Sequence, residues 1–226
     1  MPTLVYQESQ PRGPQSGPPV LLVHGFASDS SDWAGWADAL AGAGRASIVV
    51  DLPGHGSSPG PESADDASTS AIVDAIAAVT HGPFDVVAYS LGARLAWELP
   101  RIAPVRRLVL GGLSPMEPFG ALDFAQVDAF VASGEPPTDG LTGMLMGMIS
   151  APGRDAASLA LVMRGLAAEP FAPSNPPTVP TLFVAGDADP MTADSPFPDV
   201  LRVPGDHVGA LRSPEFRAAA LAFLAE

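Results

Sequence analysis

The chain lacks cysteine and has few basic residues. Without cysteine there are neither disulfides nor thiolate metal sites, and no other pattern in the sequence indicates a metal or a cofactor. Eleven Lys and Arg residues stand against 25 Asp and Glu residues, so the formal net charge is −14. The electrostatic field of such a negative charge repels phosphate backbones and anionic lipid surfaces. We therefore expect neither nucleic acid nor a membrane as a partner.

Long apolar runs are also missing. No stretch reaches the roughly 18 continuous apolar residues of a membrane span. The first residues, MPTLVYQESQPRG, do not combine a basic segment with an apolar one of signal-peptide length. We therefore expect an unexported, cytoplasmic protein, and the sequence leaves its oligomeric state open.

Short apolar runs, in contrast, recur along the chain. Near-continuous apolar runs predict strands buried on both faces, and the helical or loop stretches between them predict right-handed crossovers in an α/β fold with a mostly parallel sheet. With 226 residues, the chain fits one domain, residues 1–226. The strong candidates are VLLV at 20–23, SIVVD at 47–51, FDVVAY at 84–89, RLVLGG at 107–112 and TLFVAG at 181–186, and the weaker ones lie in TLVYQ near the start and in VLRVPG at 200–205.

Residues 114–177 interrupt this alternation. They consist of helical fragments broken by proline and glycine, and they hold five of the seven methionines. Methionine suits an adaptable apolar surface, so one interpretation is a helical lid over a substrate pocket, with Met144 and Met148 contacting the substrate. The other interpretation is ordinary core packing. The five are Met116, Met144, Met146, Met148 and Met163.

A serine stands where a predicted strand gives way to a predicted helix, in VVAYSLGARL. A sharp turn at this point exposes the Ser90 hydroxyl, but it crowds the backbone, so the residues two before and two after must be small. Ala88 and Gly92 meet that requirement. The Leu91 N–H at the helix start can then face a developing oxyanion. A helix N-cap is the simpler alternative for a serine in this position.

Two further turns follow predicted strands and carry glycine beside histidine. In LLVHGFASDSSDW the glycine after His24 lets the backbone curve and leaves the Phe26 N–H as a second oxyanion donor. DLPGHGSSPG at 51–60 is a rigid turn. Together with AYSLG, these segments resemble the α/β-hydrolase family in order and spacing over nearly the whole chain. The resemblance implies a mostly parallel sheet flanked by helices, with a small helical lid inserted after the sixth strand.

The same resemblance implies a Ser-Asp-His triad in that chain order. Of the four histidines, His24 and His55 lie inside the turn motifs, where the family uses them structurally, and His81 precedes a strand at the wrong edge of the sheet. His207 remains, just before the terminal helix, where the family carries its catalytic base. The family pattern G-x-x-D places the acid at Asp189 in VAGDADPM. Asp187 is the fallback, and Asp206 is interpreted as a loop carboxylate.

The chain departs from the family between Asp189 and His207, which are only 18 residues apart. The segment TADSPFPD contains two prolines and cannot hold a normal helix. We predict that this crossover helix is lost or reduced to a turn before the last strand.

These residues predict a serine hydrolase that acts on an ester-like small molecule: a carboxylic ester, a thioester or a lactone. Arg94, four residues after Ser90, supports an alternative. In SLGARLA the chain resembles a family branch that makes menaquinone precursors by eliminating pyruvate from a carboxylated substrate, and in that branch arginines bind carboxylates. Arg154 and Arg164 would then add to an anion pocket. In the simpler interpretation Arg94 is an ordinary helix residue whose stem packs and whose guanidinium is solvated or paired with Glu98, one turn on.

Two further alternatives stay open. A cofactor-free perhydrolase would use the same triad with peroxide. A ligand-binding module without catalysis is the least favoured interpretation, because every residue type of the triad is present.

Overall fold

The computed structural model describes residues 1–173 and 175–226. Seven strands form one sheet in the order β1-β3-β2-β4-β5-β6-β7, in which only β1 is antiparallel to its neighbour. The prediction of an α/β fold with a mostly parallel sheet is confirmed. The strands are β1 Val5–Ser9, β2 Val20–Val23, β3 Ser47–Asp51, β4 Phe84–Tyr89, β5 Val105–Gly111, β6 Thr181–Gly186 and β7 Leu201–Val203.

Helices cover both faces of this sheet, because strands β2, β3 and β4 are buried along their whole length and need apolar partners on each side. One core contains residues of α2, α3 and the helices inserted after β5, and the other contains residues of α1 and α7. No helix in residues 1–173 and 175–226 is long and apolar enough to cross a membrane. The helices are α1 Trp36–Gly42, α2 Thr69–Ala78, α3 Leu91–Ala96, α4 Phe124–Ser133, α5 Gly140–Ile149, α6 Ala156–Ala168 and α7 Pro214–Ala225.

Helices α4, α5 and α6 form the insertion between β5 and β6. It follows the fifth strand, so the expected position after the sixth strand is wrong; the chain forms only five strands before residue 114. An aspartate begins each of these helices by accepting hydrogen bonds from backbone N–H groups of the first turn. The capping residues are Asp123, Asp139 and Asp155.

The crossover between β6 and β7 contains a single 3-10 turn, Pro190–Thr192. The predicted reduction of this connection to a turn is confirmed. The ring of Phe197 stacks on Phe183 of β6 at 5.0 Å and lies 5.4 Å from Trp97. An aromatic side chain of the loop therefore covers the apolar surface of β6 where a crossover helix would otherwise pack.

A buried cluster of charged side chains connects the C-terminal helix to the start of strand β4. The Asp85 carboxylate is fully buried and pairs with Arg45 and Arg106, and Arg106 Nε donates to Asp85 Oδ1 at 2.9 Å. Both arginines also donate to the carbonyl of Leu224 in α7, at 3.1 and 2.7 Å. One carboxylate thus joins the segment before β3, the strands β4 and β5 and, through the two arginines, the terminal helix.

Candidate active site

The turn between β4 and α3 holds Ser90 in a strained backbone conformation, with φ 53° and ψ −116°. A non-glycine residue tolerates this region only when the surrounding structure enforces it, and such strain is common at functional sites. Ser90 N donates to Gly111 O at 2.8 Å, and Ser90 O accepts from Arg94 N at 3.1 Å. The Ser90 hydroxyl makes no capping hydrogen bond to α3, so the N-cap alternative is wrong for the side chain.

Small residues flank Ser90 for the steric reason expected from the sequence. A Cβ atom on Gly92 would lie 2.3 Å from Val23 O and 2.6 Å from His24 O, so no larger residue fits. Ala88 is fully buried in β4. These contacts press α3 against the end of β2 and leave the hydroxyl on the open side of the turn.

One imidazole links the candidate nucleophile to a carboxylate. His207 Nε2 lies 3.0 Å from Ser90 Oγ, and His207 Nδ1 lies 2.8 Å from Asp189 Oδ2. Asp189 is 2% exposed, and its second oxygen accepts the Met191 N–H at 2.9 Å. The other carboxylates of this region serve their own loops: Asp187 accepts from Gly205 N at 3.1 Å and Asp206 from Gly209 N at 2.7 Å.

Tyr89, which sequence reasoning missed, holds the histidine loop in place. Its hydroxyl donates to His207 O at 2.7 Å, and its ring packs against the glycine pair 111–112, where a Cβ atom would come within 2.7 Å of the ring. Burial raises the pKa of Tyr89, so the phenol remains a donor across the physiological pH range. The only signal in the sequence was an aromatic residue directly before the serine.

His24 and His55 have structural roles, as the family resemblance implied. His24 Nε2 accepts the Leu52 N–H at 3.0 Å, and His55 Nε2 accepts the Ala27 N–H at 3.0 Å. Their Nδ1–H groups donate to backbone carbonyls at 2.7 and 2.8 Å. Burial lowers the pKa of both imidazoles, that of His55 to about 3. His81 is exposed just before the start of β4, at the end of that strand opposite to Ser90.

The two buried imidazoles predict acid sensitivity. Because the pKa of His55 falls from its ordinary 6.5 to about 3 on folding, the unfolded chain binds the extra proton, and stability is lost as the pH falls from about 6.5 toward 3. His55→Gln keeps a donor and an acceptor but does not titrate. We expect the free energy of unfolding, measured with urea, to fall less steeply between pH 7 and pH 5 in this variant than in the parent, by up to about 1.4 kcal/mol per pH unit. An unchanged slope would contradict this role for His55.

The HGF segment lies directly against the serine. A Cβ atom on Gly25 would be 3.3 Å from Ser90 Cβ, which brings the Phe26 backbone beside the hydroxyl. The Phe26 ring packs edge-on against His55 at 5.8 Å and Phe119 at 5.2 Å. Leu91 is the first residue of α3, where backbone N–H groups have no partner within the helix. Phe26 and Leu91 line the same cavity as Ser90 and His207.

A mainly apolar cavity of about 430 Å³ opens over the serine. Met144 and Met148 line it, as expected, and so do Met116 and Met191, whereas Met146 and Met163 are buried in the core. The methionines of the insertion therefore divide between the cavity wall and the core. Among the described residues, three arginines line the cavity: Arg94, Arg154 and Arg212. Arg164, expected there, instead pairs with Asp128 at 2.6 Å, because α6 turns it away from the cavity.

Arg94 is buried, and both terminal nitrogens of its guanidinium have partners, whereas Nε has no hydrogen-bond partner among the described residues. Its guanidinium forms an ion pair with Glu117, donates to Leu166 O and Glu169 O at 3.2 Å each, and lies 5.5 Å from the centre of the Phe119 ring. Glu98 pairs with Arg101 instead, so the expected pairing of Arg94 with Glu98 is wrong, and so is the expectation of a solvated guanidinium. Since Glu117 precedes the inserted helices and Glu169 follows them, Arg94 ties both ends of the insertion to the helix that carries the serine.

Comparisons with known proteins agree with this architecture. A sequence model described as the alpha/beta hydrolase family matches residues 20–221. A pimeloyl-[acyl-carrier protein] methyl ester esterase from Methylococcus capsulatus is 36% identical over 88 residues, which cover 39% of this chain and only 33% of that relative.

Many solved structures match the chain, and two of those that resemble it along nearly its whole length serve as examples. MenH from S. aureus superposes with a TM-score of 0.70 at 19% identity, with 97% of each chain covered. An esterase from Thermogutta terrifontis gives 0.72 at 20% identity, with 98% of this chain and 92% of that chain covered. At these identities the likeness concerns the fold alone.

Proposed function

The chain belongs to the α/β-hydrolase family, and from this premise we propose that it is a serine hydrolase that cleaves carboxylic esters, thioesters or lactones of small molecules. One observation carries the proposal: the His207 imidazole lies within hydrogen-bond distance of both Ser90 Oγ and Asp189 Oδ2. A hydroxyl, a base and a buried orienting carboxylate in this geometry are what nucleophilic acyl transfer requires.

The reaction proceeds in two halves. Ser90 Oγ attacks the carbonyl carbon while His207 Nε2 takes the hydroxyl proton, which gives a tetrahedral intermediate. His207 returns that proton to the leaving oxygen or sulfur as its bond to carbon breaks, and the acyl group stays on Ser90. A water molecule, deprotonated by His207, then releases the acid and restores the serine. Asp189 holds the Nδ1–H and stabilises the imidazolium.

Backbone N–H groups of Phe26 and Leu91 stabilise the oxyanion in this proposal. The contact of Gly25 with the Ser90 side chain supports the first assignment, and the position of Leu91 at the start of α3 supports the second. The Phe26 donor needs little reorganisation during the reaction, because the hydrogen bond from the neighbouring Ala27 N–H to His55 Nε2 already holds this turn.

The substrate class follows from the cavity lining. Apolar side chains around Ser90, with Met144 and Met148 from α5, favour an apolar chain next to the ester carbonyl, which flexible thioethers can pack around. The insertion contributes residues between Ser114 and Arg154 to this wall, which supports a lid function for it.

A series of para-nitrophenyl esters with increasing acyl length tests the proposal. We expect release of nitrophenol from short and medium chains, and a lower kcat/KM once the acyl group outgrows the cavity. Absence of turnover across esters, thioesters and lactones would contradict the proposal.

Elimination from a carboxylated substrate is the second candidate, because Arg94 lines the cavity one turn beyond Ser90. Its charge, however, is already balanced by Glu117, and a substrate carboxylate would have to displace that partner. We therefore expect Arg94 to act by positioning the insertion and to contribute to turnover of neutral and carboxylated substrates alike.

Arg94→Ala distinguishes the two roles. Removal of the guanidinium leaves Glu117 largely buried without its partner, and we expect a loss of roughly 2 kcal/mol in the free energy of unfolding together with weaker hydrolysis of a neutral ester. Arg94→Met combined with Glu117→Leu removes both charges and is expected to recover most of the stability. Loss of activity with carboxylated substrates alone would favour elimination.

A further inference from the structure

A second cavity adjoins the one over Ser90. It has a volume of about 240 Å³, and Asp32, Leu211 and Arg212 line both cavities. The proposed reaction uses none of the residues that line only the second cavity. These are Ser31, Ala34, Trp36, Ser213 and Arg217.

The charges in this second cavity are unusual for the chain. All eleven basic residues are arginine, and within the part of the chain that the structure describes seven of them form close ion pairs. Arg217 is half-buried. Within residues 1–173 and 175–226, its guanidinium has no carboxylate oxygen within 4 Å and makes no hydrogen bond. Arg212 is 71% exposed, and its nearest carboxylate oxygen, Asp32 Oδ1, lies 4.0 Å away. A chain with a net charge of −14 thus keeps two loosely compensated cations at one place.

The backbone makes room for the Arg217 guanidinium. Gly35 adopts φ +78°, and a Cβ atom there would lie 3.2 Å from Arg217 Nη1. Trp36 and Leu211 supply apolar walls that shield the charge from bulk water on their side. A planar guanidinium held in this way can bind two oxygens of a carboxylate or phosphate at once.

We propose that the second cavity is a subsite for an anionic group, a carboxylate or a phosphate, carried by the substrate of the hydrolase proposed above. Arg217 and Arg212 bind this group while the ester carbonyl lies at Ser90. The carboxylate of Asp32 offsets one of the two positive charges, so the subsite favours one anionic group over several. This assignment leaves Arg94 with Glu117, in agreement with the ion pair.

Paired substrates test this subsite, which rests on the proposed function. Dicarboxylic acid hemiesters of para-nitrophenol are compared with neutral para-nitrophenyl esters of equal length, and kcat/KM is measured for each. Arg217→Gln removes one charged hydrogen bond to the anionic group. We therefore expect the kcat/KM for the carboxylated ester, divided by that for the neutral ester, to fall by about tenfold through an increase in KM. Arg217→Lys is expected to recover part of it. Arg164→Gln, whose arginine lines neither cavity, is expected to leave the ratio unchanged. The same ratio of kcat/KM values in the parent protein and in the three variants would overturn the proposal.

A binding measurement separates this inference from the reaction. Glutarate and inorganic phosphate are titrated calorimetrically into the parent protein and Arg217→Gln, and the tighter binder identifies the group preferred. Anion binding that depends on Arg217 supports the subsite even if the protein cleaves no ester. The lack of cleavage would then reject only the proposed hydrolase activity. Absence of binding by both anions, beside turnover of neutral esters, would reject only the subsite.

Discussion

Ser90→Ala is expected to lower kcat for ester hydrolysis by about a thousandfold to a millionfold. The hydroxyl supplies the attacking oxygen, and neither the imidazole nor the oxyanion donors can replace it. Because Ser90 makes its structural hydrogen bonds through the backbone, the variant keeps those bonds, and we expect its unfolding free energy to change little. Stopped assays with the preferred neutral ester measure the loss.

Ser133→Ala is a suitable control for this variant, since Ser133 lies on α4 outside the cavity. It is expected to retain full activity. A Ser90→Ala protein that hydrolyses the ester at more than about a tenth of the parent rate would show that the acyl group is not transferred to this serine.

Asp85→Ala is expected to cost about 3–5 kcal/mol of unfolding free energy, the largest stability loss predicted for this chain. Two arginines contact the Asp85 carboxylate, and the side chain of Arg45 is itself 6% exposed. Without Asp85, the Arg45 charge stays buried with only backbone carbonyls for partners. Urea denaturation followed by circular dichroism measures the change.

Asp74→Ala provides the matched comparison, because Asp74 is exposed on α2. We expect it to change the unfolding free energy by less than about 0.5 kcal/mol. Similar losses in the two variants would mean that the cluster around Asp85 does not hold the C-terminal helix. The cluster lies at the sheet edge opposite Ser90, so folded Asp85→Ala protein is expected to retain hydrolysis.

Local patterns were enough to predict the sheet and the three turns. The run FDVVAY coincides with β4, and the small residues around Ser90 reflect a steric limit that acts within a few residues of the serine. The selection of His207 and Asp189 rested on the resemblance to the family, which carries its base and its acid at these places in the chain. The structure brings both within hydrogen-bond distance of their partners, while their catalytic roles stay a proposal.

Contacts between distant segments were beyond sequence reasoning. The partner of Arg94 is Glu117, 23 residues on, and not Glu98 on the next helical turn, because the inserted helices bury Arg94 and bring Glu117 against it. The bond from the Tyr89 hydroxyl to the His207 carbonyl spans 118 residues. Neither pairing has a periodicity or a spacing that a single sequence reveals.

Covalent modification of Ser90 tests the central claim most directly. Folded protein is treated with a fluorophosphonate, and the modified residue is identified by mass spectrometry of its peptides. We predict a single adduct on Ser90, with loss of ester hydrolysis in proportion to labelling, and no adduct in His207→Ala over the same time. Labelling elsewhere with activity lost, or full labelling of Ser90 with activity intact, would contradict the account.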